Sequence, residues 1–382
     1  MKIIRPNAIT DDVLVSSNVP ENDYSEFSMG TTYALNDYCM DATGLEILVL
    51  NVAPATAWVA GELITGQTSN KTARVVSQIT SLTYYIRERS GNFTLDESIG
   101  VTGTPAKIAD QGAAYPKVTL STNKVHKVYK SLGAGNIANY PATDVLATSP
   151  HWVEIGNTNR WAAMDSKVGT QTSLVTQITY SFLPGLIDSI ALMNLQASSV
   201  RIKMTDPTDG VVYDQTVNLI STVAVIDWYT YFFEPVNLLK TDCVKLDLLL
   251  YSLATLNLTI NFPAGTAKIG MIQFGLQKEI GKTQYNPSIG IVSYSTKSVD
   301  TFGVYTITKR INAKKMSLAV RMDNALIDEL FRLLALYDST VLVWIGNETY
   351  ACMMVCGFYK DFSIVIPYPD CSDCSIEIEG LI

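Results

Sequence analysis

After Thr158 the chain is a succession of short apolar runs, and this constrains the fold more than any other feature. The runs cover residues 174–182, 187–195, 200–205, 211–219, 228–234, 244–251, 256–262 and 268–274, with Asp, Pro and Gly turns between them. Runs of this length and spacing predict strands joined by tight connections, packed as a jelly-roll-like β-sandwich over residues 159–274. Residues 201–206 alternate polar and apolar side chains, the mark of a half-exposed strand. Twenty Tyr, with many Thr, Val and Ile, favour the same secondary structure.

At 382 residues the chain predicts about two to four domains. Hydrophobic residues make up 47% and charged residues 17%, a composition that packs rather than stays disordered. Net charge is −8 with no Lys/Arg run, which argues against nucleic acid and anionic membrane as partners. No apolar run reaches the length of a transmembrane helix. The start of the chain has no apolar signal core, and six scattered Cys form no disulfide framework, so assembly in a reducing cytosol is expected.

Residues 1–23 are polar, punctuated by Pro6 and Pro20, and read as an extended arm. A strand pattern begins at Tyr24, breaks off after residue 43, and resumes in residues 124–158 at His126. The interruption, 44–123, carries its own pattern. Residues 61–66 (G-E-x-I-T-G) are echoed at 96–103 (D-E-x-I-G-V-T-G), with short strand runs between. It reads as a small inserted barrel or sandwich. Its ends should be neighbours in space, so excising residues 48–120 should leave the rest folded. The last segment, 275–382, predicts an α+β domain. Asp323 or Asn324 caps one helix over residues 325–337, with Leu326, Ile327, Leu330, Leu333, Leu334 and Tyr337 on one face.

Phe27, Tyr33, Tyr129 and Trp152 carry a resemblance. Read across the insertion, residues 24–43 plus 124–158 resemble the small chitin-binding-type module (carbohydrate-binding family 5/12-like). Phe27 stands where that family often has Trp, and Asn36-Asp37 where it has Gly-Asp. The insertion is similar to a spacer or docking unit common in tailed-phage structural proteins. Residues 275–382, closing on Ile378-Glu379-Gly380-Leu381-Ile382, resemble the C-terminal domain of phage tail-tip or baseplate proteins. The resemblance implies a structural component of a phage virion tail, a tail-tip, baseplate or fibre-anchoring protein active in assembly and host attachment. Its partners would be other phage tail proteins, further copies of itself in a trimer or hexamer, and a host cell-surface glycan. It would be put together in the host bacterial cytoplasm and reside in the virion.

Candidate sites follow from side-chain chemistry. Tyr33, Tyr129, Tyr140, Trp152 and Trp161 suit stacking on sugar rings or contact with protein, and suit a small core equally. For Trp152 the core reading is preferred, because a domain of about fifty residues has few other large side chains. Cys352, Cys356, Cys371 and Cys374 would together offer four thiolates to zinc or an iron–sulfur cluster. Against that, Cys352 and Cys356 on one strand would lie about 13 Å apart, so no metal and no cofactor is expected. Gly133 to Ala138 match G-x-G-x-x-A, but no dinucleotide-binding helix is expected after them. With two His and no G-x-S-x-G elbow, a catalytic triad is not expected. The alternatives to a structural role are a tail-associated glycan-degrading enzyme, which needs two facing carboxylates, and a receptor-binding adhesin.

Overall fold

A computed structural model describes residues 1–382 except 113, 121–123, 221–226, 234–238, 311 and 382, and the side chains of 230 and 231. The fold is mainly β, with 48% strand and 8% helix, so its backbone polar groups are satisfied chiefly between strands. The chain divides into two compact units. One is Glu21–Thr158; the other joins Met1–Pro20 to Asn159–Ile382.

Within Glu21–Thr158 the interrupted pattern is a three-stranded sheet. Lys127–Ser131 lies between Trp152–Asn157 and Tyr38–Asp41. Lys127 stands opposite Asp41, so the two ends of the insertion are neighbours. The insertion forms a seven-stranded sheet in the order Lys117–Leu120, Glu46–Val49, Thr83–Arg87, Thr72–Thr80, Leu63–Gly66, Ile99–Gly100, Ile108–Ala109. Its inward side chains, among them Leu48, Ile64, Val75, Tyr84 and Ile86, close around Trp58. The two echoed motifs pair with each other, Thr65 opposite Gly100 and Gly66 opposite Ile99. Gly100 has no substitute there, since a Cβ would sit 2.1 Å from the Lys107 carbonyl oxygen.

Glu97, from the second motif, is buried and organises the loop after the first. Its carboxylate accepts hydrogen bonds from Thr68 N (3.0 Å), Ser69 N (2.7 Å), Ser69 Oγ (2.8 Å) and Thr94 N (2.5 Å). Burial opposes the charge, but these donors outweigh it and hold the carboxyl below the usual glutamate range.

The larger unit is built on a ten-stranded sheet that curls into a half-barrel. Residues 1–23 do not form a free arm: Lys2–Pro6 is an interior strand, paired with Met271–Glu279 on one side and Leu342–Ile345 on the other. The expected boundary near 275 falls inside Met271–Glu279, which also pairs with Ser189–Met193. A five-stranded sheet containing Thr172–Phe182, Ser199–Asp206 and Thr255–Ile269 packs on the half-barrel's first strands as a sandwich. Ile178, Val200, Ile202 and Leu258 meet Ile190, Leu192, Ile272 and Phe274 across that core. Two expected strands differ. Residues 228–233 form a short helix, Trp228–Phe233, with 234 outside the described residues, and 244–251 shrinks to Cys243–Lys245.

The main helix is Ile327–Leu336, preceded by a 3-10 turn at Asn324–Leu326 whose Ala325 N donates to Asp323 Oδ1 (2.9 Å). Leu330 and Leu334 pack into the half-barrel with Ile3, Leu342, Trp344, Ile376 and Ile378. The other face of the same strands carries a second apolar layer, Ile4, Ala191, Val343, Ile345 and Cys356. Alternate residues of Lys2–Pro6 thus serve two cores, which is why Ile3 and Ile4 are both fully buried.

Glu97 yields a pH-dependent stability. Its depressed folded pKa contributes stability that is complete above the unfolded value of about 4.3 and is lost as pH falls through the lower folded value. Glu97→Gln should cost about 1.5–3 kcal/mol at neutral pH, the worth of hydrogen bonds to a charged group. Thermal melting from neutral to acid pH should show the wild-type advantage shrinking towards zero; a constant gap would contradict the assignment.

Candidate functional site

The aromatic residues of the small module converge on a buried polar network. Phe27, Met29, Tyr33, Cys39, Tyr129, Tyr140 and Trp152 form one cluster, joined by Val76 from the insertion. Trp152 is 1% exposed. Its ring meets Tyr33 edge-on at 4.9 Å and Phe27 at 5.8 Å, and its Nε1 donates to the Asn139 carbonyl oxygen (2.9 Å). Tyr129 belongs to the same cluster and is equally buried. All four candidate rings of the module present their faces to each other, so none offers the flat exposed platform that sugar stacking uses. Trp161 is also buried, in the larger unit.

Arg87 from strand Thr83–Arg87 enters this cluster with its side chain 2% exposed. Its Nη1 donates to Asp41 Oδ1 (2.8 Å), and its Nη2 to Glu26 Oε1 (2.6 Å) and Thr43 Oγ1 (2.7 Å). The guanidinium lies 5.5 Å from the Phe27 ring centre and 5.4 Å from that of Tyr140. Tyr140 donates its hydroxyl to the second Asp41 oxygen. Burial and the Asp41 carboxylate push the Tyr140 phenol far up, so it stays neutral and donates. Sequence reasoning missed this network, because Arg87 is 46 residues from Asp41 and no local pattern pairs them.

The loop matching the dinucleotide fingerprint has a different use. Asn136 and Tyr33 exchange backbone hydrogen bonds (2.8 and 3.1 Å), which fixes Tyr33 in the cluster. A single helical turn does follow, Pro141–Asp144, contrary to expectation. Asp144 then accepts from His151 N (2.6 Å) and Trp152 N (3.0 Å), setting Trp152 at the start of its strand. The other histidine, His126, pairs through Nδ1 with Glu21 (2.7 Å).

The four C-terminal cysteines are not brought together. Cys352 is exposed in the Ala351–Met353 turn rather than on a strand. Cys356 and Cys374 belong to different cores on opposite faces of the sheet. Burial pushes the Cys356 thiol up to about 12 and that of Cys374 up to about 11, so both stay protonated at neutral pH, the weaker form as ligand or nucleophile. Among the described residues no group of three His, Cys, Asp or Glu is placed to hold a metal ion.

The curl of the large sheet brings distant strands together. Lys314 pairs with Asp242, and Met271 Sδ lies 3.5 Å from Cys356 Sγ. A cavity of about 420 Å³ opens there, lined in part by Gln171, Met193, Asn194, Asp242, Lys314 and Met354. Its one lining carboxylate, Asp242, is committed to Lys314, whereas glycoside hydrolysis uses a pair.

The large unit also carries two exposed apolar projections. Thr296–Val299 and Tyr305–Thr308 form a hairpin that pairs with no further strand, and every residue of it is exposed. Helix Trp228–Phe233 exposes Trp228, Tyr229, Phe232 and Phe233. Clustered exposure of this kind marks an interaction surface rather than scattered surface residues.

Two measurements test the buried cluster. Trp152→Ala should cost about 3–5 kcal/mol, as for a buried Trp, and abolish the module's near-UV circular dichroism; unchanged melting would refute the core role. Excision of residues 48–120 removes Arg87 and leaves Asp41 buried without its cation, so the expectation of a folded remainder reverses. Arg87→Met alone should cost about 3–5 kcal/mol, and Arg87→Met with Asp41→Asn should recover part of it. Equal melting of single and double variants would contradict the pairing.

Comparison with known proteins finds no family model that matches the chain and no curated protein that matches it.

Proposed function

We propose that the chain is a structural component of a phage virion tail, at the tail tip, in the baseplate or anchoring a fibre, working in assembly and host attachment rather than catalysis. The observation that carries this reading is the fully exposed apolar hairpin at 296–308, together with the ring-bearing helix Trp228–Phe233. A protein that ends its work as a monomer gains nothing from such surfaces, whereas a subunit covers them on assembly. The burial of the candidate rings and the single committed carboxylate of the cavity favour this role over glycan hydrolysis.

In this role the chain works as a homo-oligomer, a trimer or hexamer, in contact with other tail proteins, after assembly in the host cytoplasm. Tail symmetry of this order is expected from the resemblance of residues 275–382, and closed rings use heterologous contacts. Host-surface glycan, if bound, is met by residues outside the buried cluster. Electron microscopy of virions labelled with an antibody against the chain should place the label on the tail. Label on the capsid alone, or none on intact and opened virions, would overturn the proposal.

A further inference from the structure

The hairpin at 296–308 has two unlike faces. Its register sets Lys297 opposite Ile307 and Val299 opposite Tyr305, so these four side chains share one face. Thr296, Ser298, Thr306 and Thr308 occupy the other. Alternation of this kind belongs to a ribbon with one face buried, yet Val299, Tyr305 and Ile307 are each about 60% exposed, and Phe302 at the tip is 90% exposed. A two-stranded ribbon alone is marginal in water, so this one gains its stability from whatever covers it.

Charge identifies the cover. Lys297, Lys309 and Arg310 against Asp300 give residues 296–310 a charge of +2, which leaves −10 on the remainder of a chain whose net charge is −8. The arm is a cationic apolar element on an acidic protein. The described surface with the matching character is helix Trp228–Phe233. Its exposed rings stand in two pairs, Trp228 with Phe232 (6.1 Å between centroids) and Tyr229 with Phe233 (5.1 Å), beside Asp227 and with no Lys or Arg in the segment.

We infer that the 296–310 arm docks on a second copy of this chain, laying the Val299–Tyr305–Ile307 face and Phe302 against the rings of the partner's 228–233 helix. The inference rests on the assembly reading and names the surface through which copies meet. Apolar and aromatic anchors supply the affinity, and Lys297, held 4.8 Å from the Tyr305 ring centre, brings its charge towards Asp227 at the rim. Arm and helix are different surfaces, so the contact is heterologous and each copy both gives and receives, as a closed ring requires. An anionic membrane would attract the arm but repel the acidic remainder.

The test uses the full chain and sedimentation analysis. The wild type should form oligomers. Phe302→Ser with Ile307→Ser, and separately Trp228→Ser with Phe232→Ser, should each weaken association at least tenfold. Mixing the two variants should restore a heterodimer, because each keeps the surface the other has lost. Lys297→Glu with Lys309→Glu and Arg310→Glu, all at exposed positions, should weaken association without touching an apolar group, and near-UV circular dichroism checks that every variant is folded. A monomeric wild type, an arm variant that assembles normally, or a mixture that stays monomeric overturns the inference. Binding of the wild-type arm to phosphatidylserine vesicles without self-association does so as well. Normal assembly of the arm variants in labelled tails would sink the inference alone; arm-dependent oligomers absent from tails would sink the tail assignment alone.

Discussion

The larger unit depends on a strand that the chain supplies first and completes last. Lys2–Pro6 has unpaired backbone groups on both edges until Met271–Glu279 and Leu342–Ile345 arrive, about 270 and 340 residues later. A buried strand cannot leave those groups unpaired, so the sandwich, the half-barrel and the helix packed against it form together. The same strand divides the interior: Ile3 points into the core beneath the main helix and Ile4 into the layer behind it. Two cores back to back on one sheet explain how 159–274 and 275–382 share a single compact unit.

The smaller unit is tied by charge rather than by strand pairing. Arg87 comes from the inserted sheet, while Asp41, Glu26 and Tyr140 come from the module around it. A buried ion pair contributes less to net stability than its geometry suggests, because desolvation offsets most of the attraction. Its consequence is specificity: the insertion has one seat in which Arg87 meets both acids. An inserted unit with adjacent ends is thereby made inseparable from its host.

Surfaces, rather than cavities, carry the functional argument. The thiols and rings with the most reactive appearance are inside, where burial keeps Cys356 and Cys374 protonated and turns Trp152 and Tyr140 into packing and hydrogen-bonding groups. The apolar side chains left outside are concentrated on a hairpin and a single short helix, both in the larger unit. An assembly protein has reason to distribute its chemistry in this way, since its partners supply the missing half of each core.

The amino-acid sequence by itself determined the β class, the single long helix and its cap at Asp323, the break of the small module by an insertion, and Trp152 as a core ring. These are local or periodic properties: alternation, turn residues, a 3.6-residue apolar face, and the scarcity of large side chains in a short module. Only the tertiary structure decided that residues 1–6 are an interior strand, that no boundary exists near 275, that the Trp228–Phe233 segment is helical, and that Cys352, Cys356, Cys371 and Cys374 stand apart. Each of these turns on which distant segments pair, and a polar arm or an aromatic run reads the same in sequence whether or not a partner strand lies beside it. The Arg87–Asp41 pair belongs with them, because burial of a charge is a property of the assembled core and of no stretch of chain alone.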